Sequence, residues 1–362
     1  MNDISKKPLL NQASESISDF ESRKRDHIEL ALGPDSASSI PTGLQRVRLV
    51  HRGLPEINFE DVTLCTRSIL GALPTPFLIS SMTAGHPGAD SINNDLFFAA
   101  ESKGWLIGIG SQRRQLFDLE ANEQMRKLRR RYPRVKALCN LGLSQLVNTN
   151  QGQIEQLVDS LEPAGFIVHL NPLQEALQTE GTPFFRGGQK RLEKLVESLN
   201  IPVVAKETGS GLSLEDFQVL LDSGVQVADV AGLGGTHWGR IESVRRRDDF
   251  GSRSLEAFGD WGNTTLQSLL WSVPYQKKGL EVWASGGIKT GVDAAKTLAL
   301  GARIVGFAQA PLKALTEQKV DGLLKWMDTI EAELKISLFC TGSEEPSKLN
   351  NEIKYQIIGA GI

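Results

Sequence analysis

The stretch Leu280–Leu312, LEVWASGGIKTGVDAAKTLALGARIVGFAQAPL, constrains the fold more than any other part of the chain. Glu281–Ala284 reads as a strand, Ser285–Thr290 as a glycine turn, Gly291–Leu300 as a helix and Arg303–Phe307 as a second strand. Another turn opens at Ala308. Strand, turn, helix and strand at this spacing make one parallel βαβ unit. In a (β/α)8 barrel, the turns after the seventh and eighth strands form a phosphate cradle. Gly286 and Gly287 let the backbone approach an anion, and the helix amides that follow can donate to it.

The same rhythm starts at Pro76. Strands are expected at Phe77–Ser81, Trp105–Ile109, Val135–Asn140, Gly165–Leu170, Pro202–Lys206, Val227–Ala231, Glu281–Ala284 and Arg303–Phe307. Helices are expected between them, with a last one over about Val320–Leu338. Eight strands in parallel alternation predict an α/β fold, the (β/α)8 TIM barrel. Such a barrel takes about 250 residues, so a chain of 362 has room for an N-terminal cap. The expected divisions are a flexible tail at 1–22, a cap at 23–75, the barrel at 76–340 and a C-terminal tail at 341–362. Within the cap, Arg46–Leu49 and Ile57–Leu64 look strand-like. A helical stretch begins in Arg23-Lys24-Arg25-Asp26-His27 and runs to about Leu32, with Arg23 and His27 on one face. The connections Asn171–Gly188 and Gly232–Gly262 exceed the usual two to six residues, which marks them as active-site loops.

Charge and cysteine usage exclude some functions. A net charge of −3 leaves no basic excess for nucleic acid. Three cysteines, Cys65, Cys139 and Cys340, are odd in number and lack metal-ligand spacing. They suit the reducing cytoplasm, as buried structural thiols. No signal-peptide core or membrane-length apolar run is present.

Barrel enzymes place their chemistry at the C-terminal strand ends. Here those ends carry Met82-Thr83-Ala84-Gly85, Gly110-Ser111-Gln112-Arg113, Asn140, His169-Leu170-Asn171, Lys206-Glu207, Gly232–Thr236 and the SGGIK turn. A ring of hydroxyl, amide and ammonium groups above a phosphate cradle suits flavin mononucleotide (FMN). Lys206, ending an apolar strand, is the candidate to face N1 and stabilise the anionic reduced flavin. In HLNPLQE, His169–Glu175, alternation puts His169 and Asn171 on one side of the strand. Pro172 is expected to stop that strand and to carry Gln174 and Glu175 into the loop above the mouth. Glu175 there either holds a hydrated Mg²⁺ beside substrate phosphates or faces solvent. Arg240, Arg245, Arg246 and Arg247 either clamp a phosphorylated substrate or bind neighbouring acids.

Eight segments in order, RKRDHI, SSMTAG, GIGSQR, HLNPLQE, VVAKETGSGLS, DVAGLGGTHWGRIESVRRR, FGDWGNTT and SGGIKTGVDAAKTLALGA, cover roughly residues 23–312. Together they resemble the type 2 isopentenyl-diphosphate delta-isomerases, flavoenzymes unrelated to the zinc-dependent type 1 enzymes. The resemblance implies FMN bound by Met82, Thr83, Ala84, Ser111, Asn140, Lys206, Ser213, Thr236, Gly287, Lys289, Ala308 and Gln309. It implies a diphosphate substrate held by Arg23, Lys24, His27, Ser111, Arg113, Asn171 and Gln174. Gln174 and His169 would sit at the reacting carbons, Glu175 would carry Mg²⁺, NADPH would serve as reductant, and the assembly would be a homotetramer. The chain departs from the family pattern at Ala84, at His237-Trp238 and at Thr182, where members often carry Gly, Asn-Phe and an acid.

Two other barrel readings meet contrary residues. A 2-hydroxyacid oxidase looks to a histidine just before Gly-Gly in the sixth loop, where this chain has Leu233. An IMP-dehydrogenase-like enzyme needs a cysteine in that loop, and none is there. A barrel that binds flavin or phosphate without catalysis would have no need of HLNPLQE and RKRDH.

Overall fold

One large apolar side chain from each of eight strands builds the interior of the molecule. In a computed structural model, which describes residues 17–33, 36–82, 89–245 and 257–359, Leu78, Leu106, Leu138, Ile167, Val204, Val227, Trp283 and Ile304 form a single buried cluster. Their strands are Phe77–Ile79, Leu106–Gly108, Ala137–Gly142, Gly165–Leu170, Val203–Glu207, Val227–Asp229, Glu281–Ala284 and Ile304–Phe307. All eight pair in parallel and close into a barrel, the eighth hydrogen-bonding to the first. Residues of the other parity, such as Phe166, Val168, Val203 and Ala205, pack outward against the helices. Period-two alternation then dictates the layer above the apolar floor. Two positions beyond Leu138, Ile167, Val204, Val227 and Trp283 come Asn140, His169, Lys206, Asp229 and Ser285. The apolar floor and the polar mouth are two consecutive inward layers of the same strands.

Several expectations change. The N-terminal helix spans Ile17–Leu32, so it starts inside the expected 1–22 tail; residues 1–16 lie outside those described. Ile57–Leu64 is not a strand: it contains a 3₁₀ turn at Phe59–Asp61. An unexpected hairpin, Thr66–Ser68 with Gly71–Leu73, places Leu73 in the interior cluster and stops the barrel's lower end. Val47–Leu49 pairs antiparallel with Tyr355–Ile357, which joins the cap to the C-terminal segment. The last helix runs Gln309–Cys340, broken at Lys319 where φ is 60°. Its Trp326 packs on Trp105 and Phe307, and Glu331 accepts the Trp105 indole N–H at 2.7 Å. Of the three thiols only Cys139 is buried; Cys65 is exposed and Cys340 partly so. No described helix is long and apolar enough to cross a membrane.

The two long connections contain helices of their own. Pro172 does not send the chain into a loop. It takes the first position of a short helix, Pro172–Leu177, where its missing N–H costs nothing. Helix Trp238–Arg245 fills part of the sixth connection.

Candidate active site

At the C-terminal mouth of the barrel lies a cavity of about 100 Å³, open to solvent. The N-terminal helix contributes Arg23, Lys24 and His27 to its lining. The first three strand ends contribute Ser81, Met82, Gly110, Ser111, Arg113, Asn140 and Gln145. The fourth supplies His169, Asn171, Gln174, Glu175 and Gln178, the fifth Lys206 and Thr208, and the sixth connection Trp238. Twelve of the residues singled out from sequence therefore meet in one place.

The cap helix is fixed by a buried carboxylate. Glu242, 1% exposed, sits 2.8 Å from His27 Nε2. It accepts the Gln174 side-chain amide at 3.1 Å and Arg245 Nε at 3.2 Å. Burial would raise the Glu242 carboxyl, but the close approach of His27 and the charge of Arg245 hold it below its ordinary range. Burial pushes the His27 imidazole down, against the pull of Glu242. The Trp238 ring meets His27 edge-on, with centroids 5.2 Å apart. Arg245 also grips Glu180, and Arg240 pairs with Asp260 at 3.1 Å. These two arginines bind neighbouring acids and do not line the cavity; Arg246 and Arg247 lie outside the described residues.

Glu175 does not face solvent. It is 6% exposed, and its Oε2 accepts the Thr182 amide at 2.6 Å. Its Oε1 takes two weaker contacts of 3.3 Å, from the Gln145 and Asn171 amides. Burial alone would raise its pKa; the Thr182 amide, Gln145 and the neighbouring His169 outweigh that and hold it low. Among the described residues no group of three His, Cys, Asp or Glu could hold a metal. A single carboxylate with one weakly engaged oxygen fits a cation such as Mg²⁺ that takes its remaining ligands from substrate phosphates and water.

A chain of hydrogen bonds sets the tautomer of His169. The Asn140 amide donates to Ile109 O at 3.0 Å, so its Oδ1 faces His169 Nδ1 at 2.9 Å. Nδ1 therefore carries the hydrogen and Nε2 is the acceptor. Burial pushes this imidazole down to about 4, so it is neutral at pH 7. In the window between its unfolded value near 6.5 and about 4, the unfolded chain takes a proton that the folded one refuses. Stability from this site is therefore present above pH 6.5 and lost as pH falls to 4, by at most about 3 kcal/mol. His169→Gln should flatten that part of the stability profile in denaturant titrations. An unchanged slope between pH 6.5 and 4 would contradict the buried neutral imidazole.

The fifth strand ends in two charged residues with separate duties. Lys206 is held by Asp229 and Ser285. Glu207 accepts the backbone amides of Thr208, Gly209, Ser210 and Gly211, and burial, opposed by those amides, raises its carboxyl to about 7.

The remaining sequence candidates lie off the cavity. Ser213 caps helix Leu214–Asp222 through the Asp216 amide. Thr236 bridges to Ala37, the Gln309 side chain donates to Ala31 O, and Lys289 is exposed. Thr83 and Ala84 lie outside the described residues. The backbone around these positions nonetheless suits a phosphate. Gly286 and Gly287 have φ of 98° and 70°. Among the described residues no acceptor takes the amides of Gly286, Gly287 and Ile288, and no side chain caps the helix that starts after Ala308. At the other end, Ser81 Oγ and Asn171 Oδ1 are buried without a partner among the described residues. Open amides on neighbouring strands and orphaned polar atoms at the mouth fit a long ligand with a phosphate tail and a polar ring edge, as FMN is.

Sequence reasoning missed Gln145, Asp229 and Glu242, and gave no role of their own to Thr182, Trp238 and Ser285. One signal was available: Trp238 and Glu242 are four residues apart and share a helical face.

A family model for FMN-dependent dehydrogenases matches residues 185–356. Solved structures with the same architecture include a flavocytochrome b2 variant with sulfite bound, with TM-score 0.67 and 17% identity over 97% of this chain and 88% of that one. An (S)-mandelate dehydrogenase variant from Pseudomonas putida gives TM-score 0.64 and 16% identity over 95% of this chain and 99% of that one. At such identity these show the fold alone. The closed barrel makes this a (β/α)8-barrel protein, and its second half is similar to FMN-dependent dehydrogenases.

An isopentenyl-diphosphate delta-isomerase of Legionella pneumophila (strain Lens) is 45% identical over 90% of this chain and 95% of its own length. One from Bdellovibrio bacteriovorus is 40% identical over 93% of this chain and 98% of its own. The chain belongs to the isopentenyl-diphosphate delta-isomerase family.

Proposed function

We propose that this cavity, loaded with FMN and Mg²⁺, interconverts isopentenyl diphosphate and dimethylallyl diphosphate for isoprenoid biosynthesis. The observation that carries this reading is the meeting of two unlike sets in one mouth. Arg23, Lys24, His27 and Glu175 form a site for a diphosphate and its cation. Ser81, Ser111, Asn140 and Lys206 offer donors and acceptors to a flavin ring edge. The turns at Gly287–Lys289 and Ala308-Gln309 would hold the cofactor's phosphate. A 2-hydroxyacid oxidation is disfavoured because buried Leu233 stands where that chemistry needs a histidine.

Substrate and product have the same oxidation level, so the reaction is a protonation at one carbon and a deprotonation at another. Reduced FMN, primed once with NADPH as reductant, would supply a proton-exchanging group beside the double bond. The chain's residues do the rest. Arg23, Lys24 and His27 fix the diphosphate, and Arg113 and Asn171 complete its surroundings. Gln174, held by Asn171 and Glu242, orients the five-carbon chain. His169, neutral at working pH, accepts a hydrogen bond at Nε2 and does not act as the acid. Trp238 lines the mouth beside His27.

The test is direct: purified protein should release FMN on denaturation and, once reduced, interconvert the two diphosphates. Protein that cannot be loaded with FMN, or that is loaded yet inert toward both, would contradict the proposal. Glu175→Gln keeps the shape but loses the charge, and should raise the Mg²⁺ concentration for half-maximal rate by about tenfold or more. A variant with the parent's Mg²⁺ dependence would show that Glu175 is not the ligand.

A further inference from the structure

The floor of the cavity contains a buried charge pair that diphosphate binding does not use. Lys206 Nζ lies 2.6 Å from Asp229 Oδ2 and 2.6 Å from Ser285 Oγ. Ser285 Oγ in turn donates to Asp229 Oδ1 at 2.6 Å. Asp229 is 1% exposed and Ser285 4%. The three residues come from adjacent barrel strands. The register sets Lys206 beside Asp229 and Asp229 beside Trp283, with Ser285 two positions on. An ammonium has three hydrogens to donate; two are directed at Asp229 and Ser285, which leaves one for the cavity. A carboxylate in direct contact with an ammonium, in a buried layer, also cancels much of the ammonium's field.

We propose that Asp229 is a positioning residue for Lys206: with Ser285 it aims the ammonium at the bound flavin and tempers its charge. This rests on the FMN reading and deepens it. The group that sets the cofactor's electronics is then a neutral Lys206–Asp229–Ser285 unit, not a lone cation. Removing Lys206 alone leaves a bare carboxylate at the cofactor site. Removing Asp229 alone exposes an untempered cation, and removing both charges leaves the site neutral again.

The test is the midpoint potential of FMN bound to the full-length protein, for the parent, Lys206→Met, Asp229→Asn and the double variant. Asp229→Asn should bind reduced over oxidised FMN at least tenfold better than the parent does, a rise of about 30 mV for a two-electron couple. Lys206→Met should shift at least as far the other way. Adding Asp229→Asn to Lys206→Met should recover most of that loss. An Asp229→Asn protein with the parent's potential would overturn the proposal, as would a double variant no higher in potential than Lys206→Met. The second comparison decides the matter even if Asp229→Asn alone does not fold, because the double variant leaves no buried charge unpaired. A structural role for Asp229 would weaken both redox forms equally and leave the potential in place, which also overturns it. A parent that takes up no FMN would bring down the cofactor reading and this proposal together. A parent that binds FMN beside an unshifted Asp229→Asn brings down this proposal alone.

Discussion

Glu242→Ala is expected to lower kcat/KM by about 10²–10³-fold, although Glu242 is outside the cavity lining. The carboxylate is where the cap helix, the fourth connection and the sixth connection meet: His27, Gln174 and Arg245 all converge on it. Removing this buried acceptor leaves the groups that face it unsatisfied, at about 1–3 kcal/mol each. Each 1.36 kcal/mol lost from transition-state binding is tenfold in rate. Much of the loss should appear in KM, since the cations of the cap helix lose their anchor. Glu242→Gln retains an acceptor and should fall between. An alanine variant within threefold of the parent in kcat/KM would show that the cap is positioned by other contacts.

Gly287→Ala should raise the Kd for FMN by about 100-fold. The residue sits at φ 70°, and a Cβ there would lie 2.3 Å from Gly234 O and 2.5 Å from Thr42 Cγ2. An L-residue in this left-handed region costs roughly 1–2 kcal/mol before any clash. The clash is with backbone, so the sixth and seventh turns must part, and the amides of Gly286–Ile288 turn with them. Gly279→Ala is the control: its φ is 99°, but nothing lies within 4 Å. It should lose stability and leave FMN affinity unchanged. If titration of apoprotein with FMN gives the same Kd for Gly287→Ala and the parent, these turns do not hold the phosphate.

How far the sequence foretold this architecture depends on the range of the interactions involved. All eight barrel strands were legible, because each is a short apolar run closed by a polar or glycine punctuation, and the βαβ spacing repeats. The inward set was legible too: His169 and Lys206 point where period-two alternation from Ile167 and Val204 sends them. What escaped were contacts between segments far apart in the chain. Glu242 meets His27 across more than two hundred residues, and nothing local marks it except its spacing from Trp238. Asp229 reads as an ordinary strand-end acid until the register sets it beside Lys206. Thr182 acts on Glu175 chiefly through its backbone amide, which no side-chain pattern reveals. Ser213, which the family resemblance offers as a cofactor ligand, also caps the following helix, with its side chain accepting the Asp216 amide.

The central claim is that a flavin barrel here moves a proton and not, on balance, electrons. The most direct test supplies FMN-loaded protein with one equivalent of reductant, Mg²⁺ and isopentenyl diphosphate in D₂O, and follows the dimethylallyl product. Many turnovers per equivalent of reductant, with deuterium in a methyl group of the product, is the predicted result. Reductant consumed in step with product, or full activity with oxidised FMN, would contradict it.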